Sequence, residues 1–237
     1  MMDVLRVGVV LSALFALVAL TVLVVKTLSF GKRPFYSRDA GSKVSGVIYA
    51  FGRGMMPWEK ESSRKHLLTY LSGVIYHAGI FAALIYLLCA VFSLSLPWYL
   101  LQTLRIALVV GGACGLSLLL KRILSRKLRK LSCPDDYAAN IIVTLFVILA
   151  AVHAAQLTGW QGPAVAGSPT LSPSRPTAVS SGPAVGLTSF VEGAFYIVSI
   201  LMFLYVPVGK IRHCFFFFYS RVLLGIFFGR RSALPTR

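Results

Sequence analysis

A chain of 237 residues that is 57% hydrophobic and 13% charged, with a mean hydropathy of +0.79, is too apolar for a water-soluble domain of its size. Its net charge of +17, from 24 Lys+Arg against 7 Asp+Glu, sits in a few segments between apolar blocks. That distribution argues against a nucleic-acid-binding surface, and the composition excludes a collagen-like, disordered or disulfide-framework chain.

Five apolar stretches, about 7–25, 67–92, 98–120, 139–158 and 188–208, each reach the ~20 residues of a membrane helix. The alternating strands of an outer-membrane barrel do not occur. These features predict an all-α membrane protein with five transmembrane helices in a single membrane domain, 1–237. The first stretch has no charge from Val7 to Val25, is longer than a signal-peptide core and lacks a small-x-small cleavage site, so it reads as a retained span. The following loop holds nine Lys/Arg between Lys26 and Lys65. Its semi-apolar patch, Val47 to Trp58, is expected at the membrane interface.

Six more basic residues lie between Lys121 and Lys130, and six between Lys210 and Arg237. The opposite side keeps Arg6 and Arg175, with Arg105 inside the third span. The positive-inside rule therefore puts the N-terminus outside and the C-terminus in the cytoplasm, which an odd number of spans requires. The same juxtamembrane cations suit anionic membrane lipid. The Pro/Ser/Ala/Thr/Gly-rich segment 161–187 is expected to be a flexible external loop. Beyond the fifth span, apolar character continues through Phe215–Phe218 and Val222–Phe228. Pro207 is expected to kink this helix and the tail past Arg221 to turn along the inner surface.

Cys89, Cys114, Cys133 and Cys214 form no CxxC or CxxCH, so neither a paired-thiolate metal site nor covalently attached haem is indicated. Chemistry then falls to His66, His77, His153 and His213. Gly73 precedes His77 by four residues and Gly209 precedes His213 by four, which on a helix leaves a turn without a side chain beside each imidazole. A flat macrocycle needs that clearance, and a bis-histidine haem needs one neutral imidazole from each of two helices. The competing reading is a membrane histidine that only hydrogen-bonds a neighbouring helix.

Tyr76-His77-Ala78-Gly79, Gly111-Gly112-Ala113-Cys114-Gly115, Lys121-Arg122 running to Cys133-Pro134-Asp135-Asp136-Tyr137, and Val206-Pro207-Val208-Gly209-Lys210-Ile211-Arg212-His213 resemble the gamma subunit of respiratory nitrate reductase. They are closer to its relatives, the membrane cytochrome b subunits of sulfate-reducer and heterodisulfide-reductase-like redox complexes. The resemblance covers about residues 66–220. It implies a b-type cytochrome in the cytoplasmic membrane of a prokaryote, exchanging electrons between membrane quinone and a partner subunit, with His77 and His213 as axial haem ligands. Two-haem members of the family carry further histidines where this chain has Leu87 and Phe195, so one haem b is expected and a second is in doubt. Lys210 and Arg212 flank His213, and at least one is expected to neutralise a haem propionate.

A second constellation lies toward the outer side: Arg105, His153, Gln156 and Glu192. Ionisable groups at membrane depth face a protein interior or a wet cavity, and these supply the donors and proton carriers a quinone requires. Arg105 stands six residues before Gly111, where the resemblance implies a quinol-binding basic residue. A deep quinone pocket partly occupying the space beside Leu87 and Phe195 is expected. The strongly basic cytoplasmic face would suit an acidic, iron-sulfur or multihaem partner subunit. Two alternatives stay open: a haem-bearing anchor with no quinone site of its own, and a non-redox assembly or transport protein whose histidines merely pack. The inverted repeats and discontinuous helices of transporters are not evident.

Overall fold

A computed structural model of the chain describes residues 2–30, 38–59, 61–156 and 183–233, with the side chains of 62 and 183–187 set aside. The expected loop 161–187 falls almost wholly outside these residues. Nine α-helices follow in chain order: α1 Met2–Ser29, α2 Lys43–Phe51, α3 Glu61–Lys65, α4 Leu67–Val91, α5 Trp98–Leu124, α6 Arg126–Leu131, α7 Pro134–Gln156, α8 Pro183–Tyr205 and α9 His213–Arg230. No strand occurs among the described residues. Among the described residues six helices are long and apolar enough to cross a membrane: α1, α4, α5, α7, the Thr188–Tyr205 part of α8, and Lys210–Arg230. The chain is thus a multi-pass helical membrane protein, consistent with an exterior that displays Phe15, Phe81, Ile106 and Val109, because lipid rather than water is the solvent for these faces.

Five of these helices form one bundle, in which α4 packs on α5, α5 on α7, α7 on α8, and α8 on α1. With no hydrophobic drive between helices in lipid, close backbone approach supplies the packing. Gly79 of α4 faces Gly111 of α5 so tightly that a Cβ on Gly79 would stand 2.7 Å from the Gly111 Cα. Gly115 lets the Tyr76 ring cross α5 to reach Thr144 of α7, where the two hydroxyls meet at 2.8 Å.

One end of the bundle is tied by carboxylates at the N-terminus of α7. Pro134 opens the helix and Asp135 and Asp136 occupy its first turn, where the helix dipole favours negative charge. The Asp136 side chain accepts from the Cys133 N–H at 2.9 Å and pairs with Arg122 of α5 at 3.3 Å and Lys210 at 2.8 Å. The Tyr205 hydroxyl, at the end of α8, donates to Asp135. Here α8 stops, and the chain turns through 206–209 and a 3₁₀ turn, Lys210–Arg212, before α9 begins. The expected kink at Pro207 is therefore a full break, and α9 runs uninterrupted past Arg221.

α9 packs not on the bundle but on α2. Gly225 and Gly229 of α9, spaced as a small-xxx-small pair, meet Ser42 and Gly46; a Cβ on Gly46 would stand 2.0 Å from the Gly225 carbonyl oxygen. The helices run antiparallel: the Ala40 N–H donates to Arg230 O at 2.7 Å and Asp39 pairs with Arg230. At the other end Phe51 lies against Phe217 and Phe218, with centroids 6.3 and 6.2 Å away.

Candidate functional site

His77 lies ten residues into α4, about 15 Å of helix, and its ring is exposed on the outside of the bundle. Its Nδ1 stands 2.7 Å from the Gly73 carbonyl oxygen. A carbonyl only accepts, so Nδ1 carries the hydrogen, and in the neutral form of the ring the lone pair lies on Nε2. Gly73 leaves open space: a Cβ there would meet nothing within 4 Å. His213 opens α9 and is likewise exposed, with its Nδ1 2.6 Å from the Lys210 carbonyl oxygen. The same logic leaves its Nε2 free.

These donor atoms fit an axial haem ligand, which needs a neutral imidazole whose far nitrogen is held by a backbone carbonyl or carboxylate. Among the described residues no hydrogen bond, ring contact or cavity joins the two imidazoles directly. Gly209 does not play the part expected of it. The chain is not α-helical between Gly209 and His213 but makes a 3₁₀ turn, and the Tyr205 ring lies on Gly209, where a Cβ would run into it. Its lack of a side chain serves the turn at the end of α8, not clearance beside His213. Lys210 is committed to Asp136, whereas Arg212 is exposed. His66 caps α4 from outside the helix, so it does not continue the face that bears His77.

At the opposite end of the bundle from Asp136, a cavity of about 340 Å³ opens between α1, α4, α5, α7 and α8, lined by Arg6, Tyr86, Ser93, His153, Glu192 and Tyr196 among others. His153 is buried, at 4% exposure. Its Nδ1 is 2.9 Å from the Tyr86 hydroxyl, and its ring stacks on Phe195 with centroids 5.3 Å apart and planes at 24°. Arg6 reaches across from α1: its Nε donates to the Tyr196 hydroxyl at 3.3 Å and its guanidinium pairs with Glu192 at 3.3 Å. Of the four residues expected here, His153 and Glu192 line the cavity. Arg105 instead donates from Nε and Nη2 to the Ala154 carbonyl at 3.1 and 2.5 Å, tying the C-terminal end of α7 to α5. The Gln156 Oε1 is buried without a hydrogen-bond partner among the described residues.

The space at Phe195 is filled, contrary to expectation, whereas Leu87 lines an apolar cavity of about 240 Å³ between α1 and α4 with Val9, Leu84, Val91 and Phe203. Both side chains are buried, at 3% and 0% exposure for Leu87 and Phe195, and Phe195 is flanked by Phe146, Tyr86 and Tyr196 at centroid distances of 5.6–5.9 Å. Large aromatic rings close the volume at Phe195, and the polar cavity lies beside it. Sequence reasoning missed Arg6, Tyr86 and Tyr196. Arg6 had a signal, since it is the one cation before the first span; the two tyrosines carried none that separates them from other membrane aromatics. No family model matches the chain, and neither a curated protein nor a solved structure is similar to it.

Proposed function

We propose that this protein is a haem b-containing membrane subunit that carries electrons between quinone and a partner redox subunit, in a prokaryotic cytoplasmic membrane. The observation that carries the reading is shared by His77 and His213: each Nδ1 is bonded to a backbone carbonyl and each ring is exposed, so that in the neutral ring Nε2 is available to a ligand. An imidazole facing hydrocarbon ten residues into a span is costly, and a ligand at Nε2 would remove that cost. Haem, when bound, supplies one-electron chemistry; the chain's part is to hold both imidazoles as neutral ligands. Lys210 and Arg212 stand beside His213, with Arg212 free to meet a propionate. The outer cavity, with His153 and Glu192 on its wall, is the quinone site, and Arg105 secures the end of the helix that carries His153. Phe195, packed among aromatic rings, favours a single haem.

The same reading takes five helices as spans and keeps both α2 and α9 on the cytoplasmic side. α2 has nine residues, about 13.5 Å of helix, too short to cross. It is joined to the cytoplasmic ends of α1 and α4 and packed along α9. If α9 crossed the membrane, it would draw α2 with Asp39, Lys43 and Arg53 into the hydrocarbon. The N-terminus is then outside, the C-terminus inside, and the basic inner face meets an acidic iron-sulfur or multihaem partner. The test is haem content of purified variants: His77→Ala and His213→Ala should each lose haem b, and His66→Ala should retain it. Haem retained in both ligand variants, or lost only in His66→Ala, would contradict the assignment.

A further inference from the structure

The outer cavity contains a hydrogen-bonded pair that its sequence reading did not foresee. Tyr86 comes from α4 and His153 from α7, and both line the cavity wall. The carbonyl logic that fixes His77 and His213 does not apply to this bond, because either the tyrosine hydroxyl or the imidazole Nδ1 can be its donor. With Tyr86 donating, Nε2 bears hydrogen and suits a quinone carbonyl. With Nδ1–H donating to Tyr86, Nε2 offers a lone pair to a quinol hydroxyl. One bond thus serves both redox forms of a ligand, and the Phe195 ring at 5.3 Å holds the imidazole plane in place.

From the cavity a chain of polar contacts leads outward. Arg6 touches Tyr196, Glu192 and Ser93, at 3.3, 3.3 and 3.4 Å, and lies 3.8 Å from Asp3, whose side chain is 94% exposed. We propose that His153, positioned by Tyr86, exchanges the proton of the quinone or quinol oxygen bound in this cavity, and that Glu192 with Arg6 connects it to the outer surface. This rests on the quinone-linked cytochrome reading above. Quinol oxidation breaks two O–H bonds. The first proton would go to Nε2 of His153 and then through Glu192 to outside water, the second would follow the same route, and the two electrons would leave one at a time to a one-electron acceptor, the part that a haem held by His77 and His213 would supply. Quinone reduction is the reverse.

Tyr76, next to His77, bonds Thr144, and His153 lies nine residues farther out on the same helix, about 14 Å. The charged or titratable groups around His153 are Arg6 from α1, Tyr86 and Cys89 from α4, Arg105 from α5, and Glu192 and Tyr196 from α8. Tyr86 is a positioning residue, so its removal should alter how the rate depends on pH and not merely its size.

The experiment uses the haem-loaded chain in nanodiscs. Menadiol-driven haem reduction is followed by stopped flow across pH, and menadione binding is measured by thermal shift on loaded and haem-free protein. A general acid–base group contributes about 10²–10⁴-fold. His153→Gln should slow reduction at least a hundredfold. Tyr86→Phe should slow it about tenfold and displace the pH profile, and both should keep the haem spectrum and bind menadione within a few-fold of wild type. Glu192→Gln should slow reduction with binding retained. Wild-type rates and pH profiles in His153→Gln and Tyr86→Phe would overturn the proposal and leave the cytochrome reading standing. A wild-type chain that takes up no haem or binds no menadione would overturn both.

Discussion

At the residue scale, the interior of the bundle depends on a few polar groups whose partners come from distant helices. The Tyr76 hydroxyl meets Thr144, which in turn donates to Asn140 Oδ1 at 2.9 Å. Thr144→Val would leave the buried tyrosine hydroxyl without this partner. In water such an orphan costs about 1–3 kcal/mol, but interhelical hydrogen bonds in membranes average about 0.6 kcal/mol, since the lipid-embedded unfolded state also finds partners. The smaller figure decides. Thr144→Val should cost about 0.6 kcal/mol in reversible detergent unfolding, whereas Gly79→Val, which drives a side chain into the Gly111 backbone, should cost about 1–3 kcal/mol. Equal losses would contradict this ranking. His77 and its Gly73 were legible as a pair because both lie within one uninterrupted helix. The apparent twin, Gly209 and His213, was not: spacing alone does not reveal that α8 ends at Tyr205 and that the Tyr205 ring needs the glycine.

At the element scale, α2 and α9 form a unit that hydropathy could not anticipate. Each was visible as a semi-apolar segment near the inner surface, but their pairing joins residues some 180 positions apart through glycine contacts that leave no periodic mark. The outer cluster was half legible for a similar reason. His153 and Glu192 stand out as ionisable groups late in one span and early in another, while the Arg6 to Glu192 pair spans 186 positions. The hinge of the α2–α9 pair is testable. In a variant lacking the native cysteines, Phe51→Cys with Phe218→Cys should form a disulfide on mild oxidation, and adding Gly225→Val should abolish it, because a Cβ at Gly225 would stand 2.5 Å from the Val47 Cα. Cross-linking that survives Gly225→Val would show that close glycine packing does not hold the two helices together.

At the scale of the whole molecule, the bundle has two differentiated ends. One end holds the cavity with Arg6, His153 and Glu192. The other gathers Arg122, Lys210 and Asp136 into an ion cluster near His213. The distribution of Lys and Arg sets the expected sidedness, but it leaves the number of crossings open, because the segment containing α9 is long and apolar enough for a span. On the five-span reading proposed above the C-terminus lies in the cytoplasm, so a fluorescent protein fused after Arg237 should be bright and an exported phosphatase fused there inactive; an active phosphatase would place α9 across the membrane. The central claim, that this bundle is a b-type cytochrome with bis-imidazole iron, is tested most directly by the reduced-minus-oxidised absorption spectrum of the chain purified from haem-replete cells. The account predicts a low-spin b-type band from one haem per chain; a chain that folds and inserts with no haem band would contradict it.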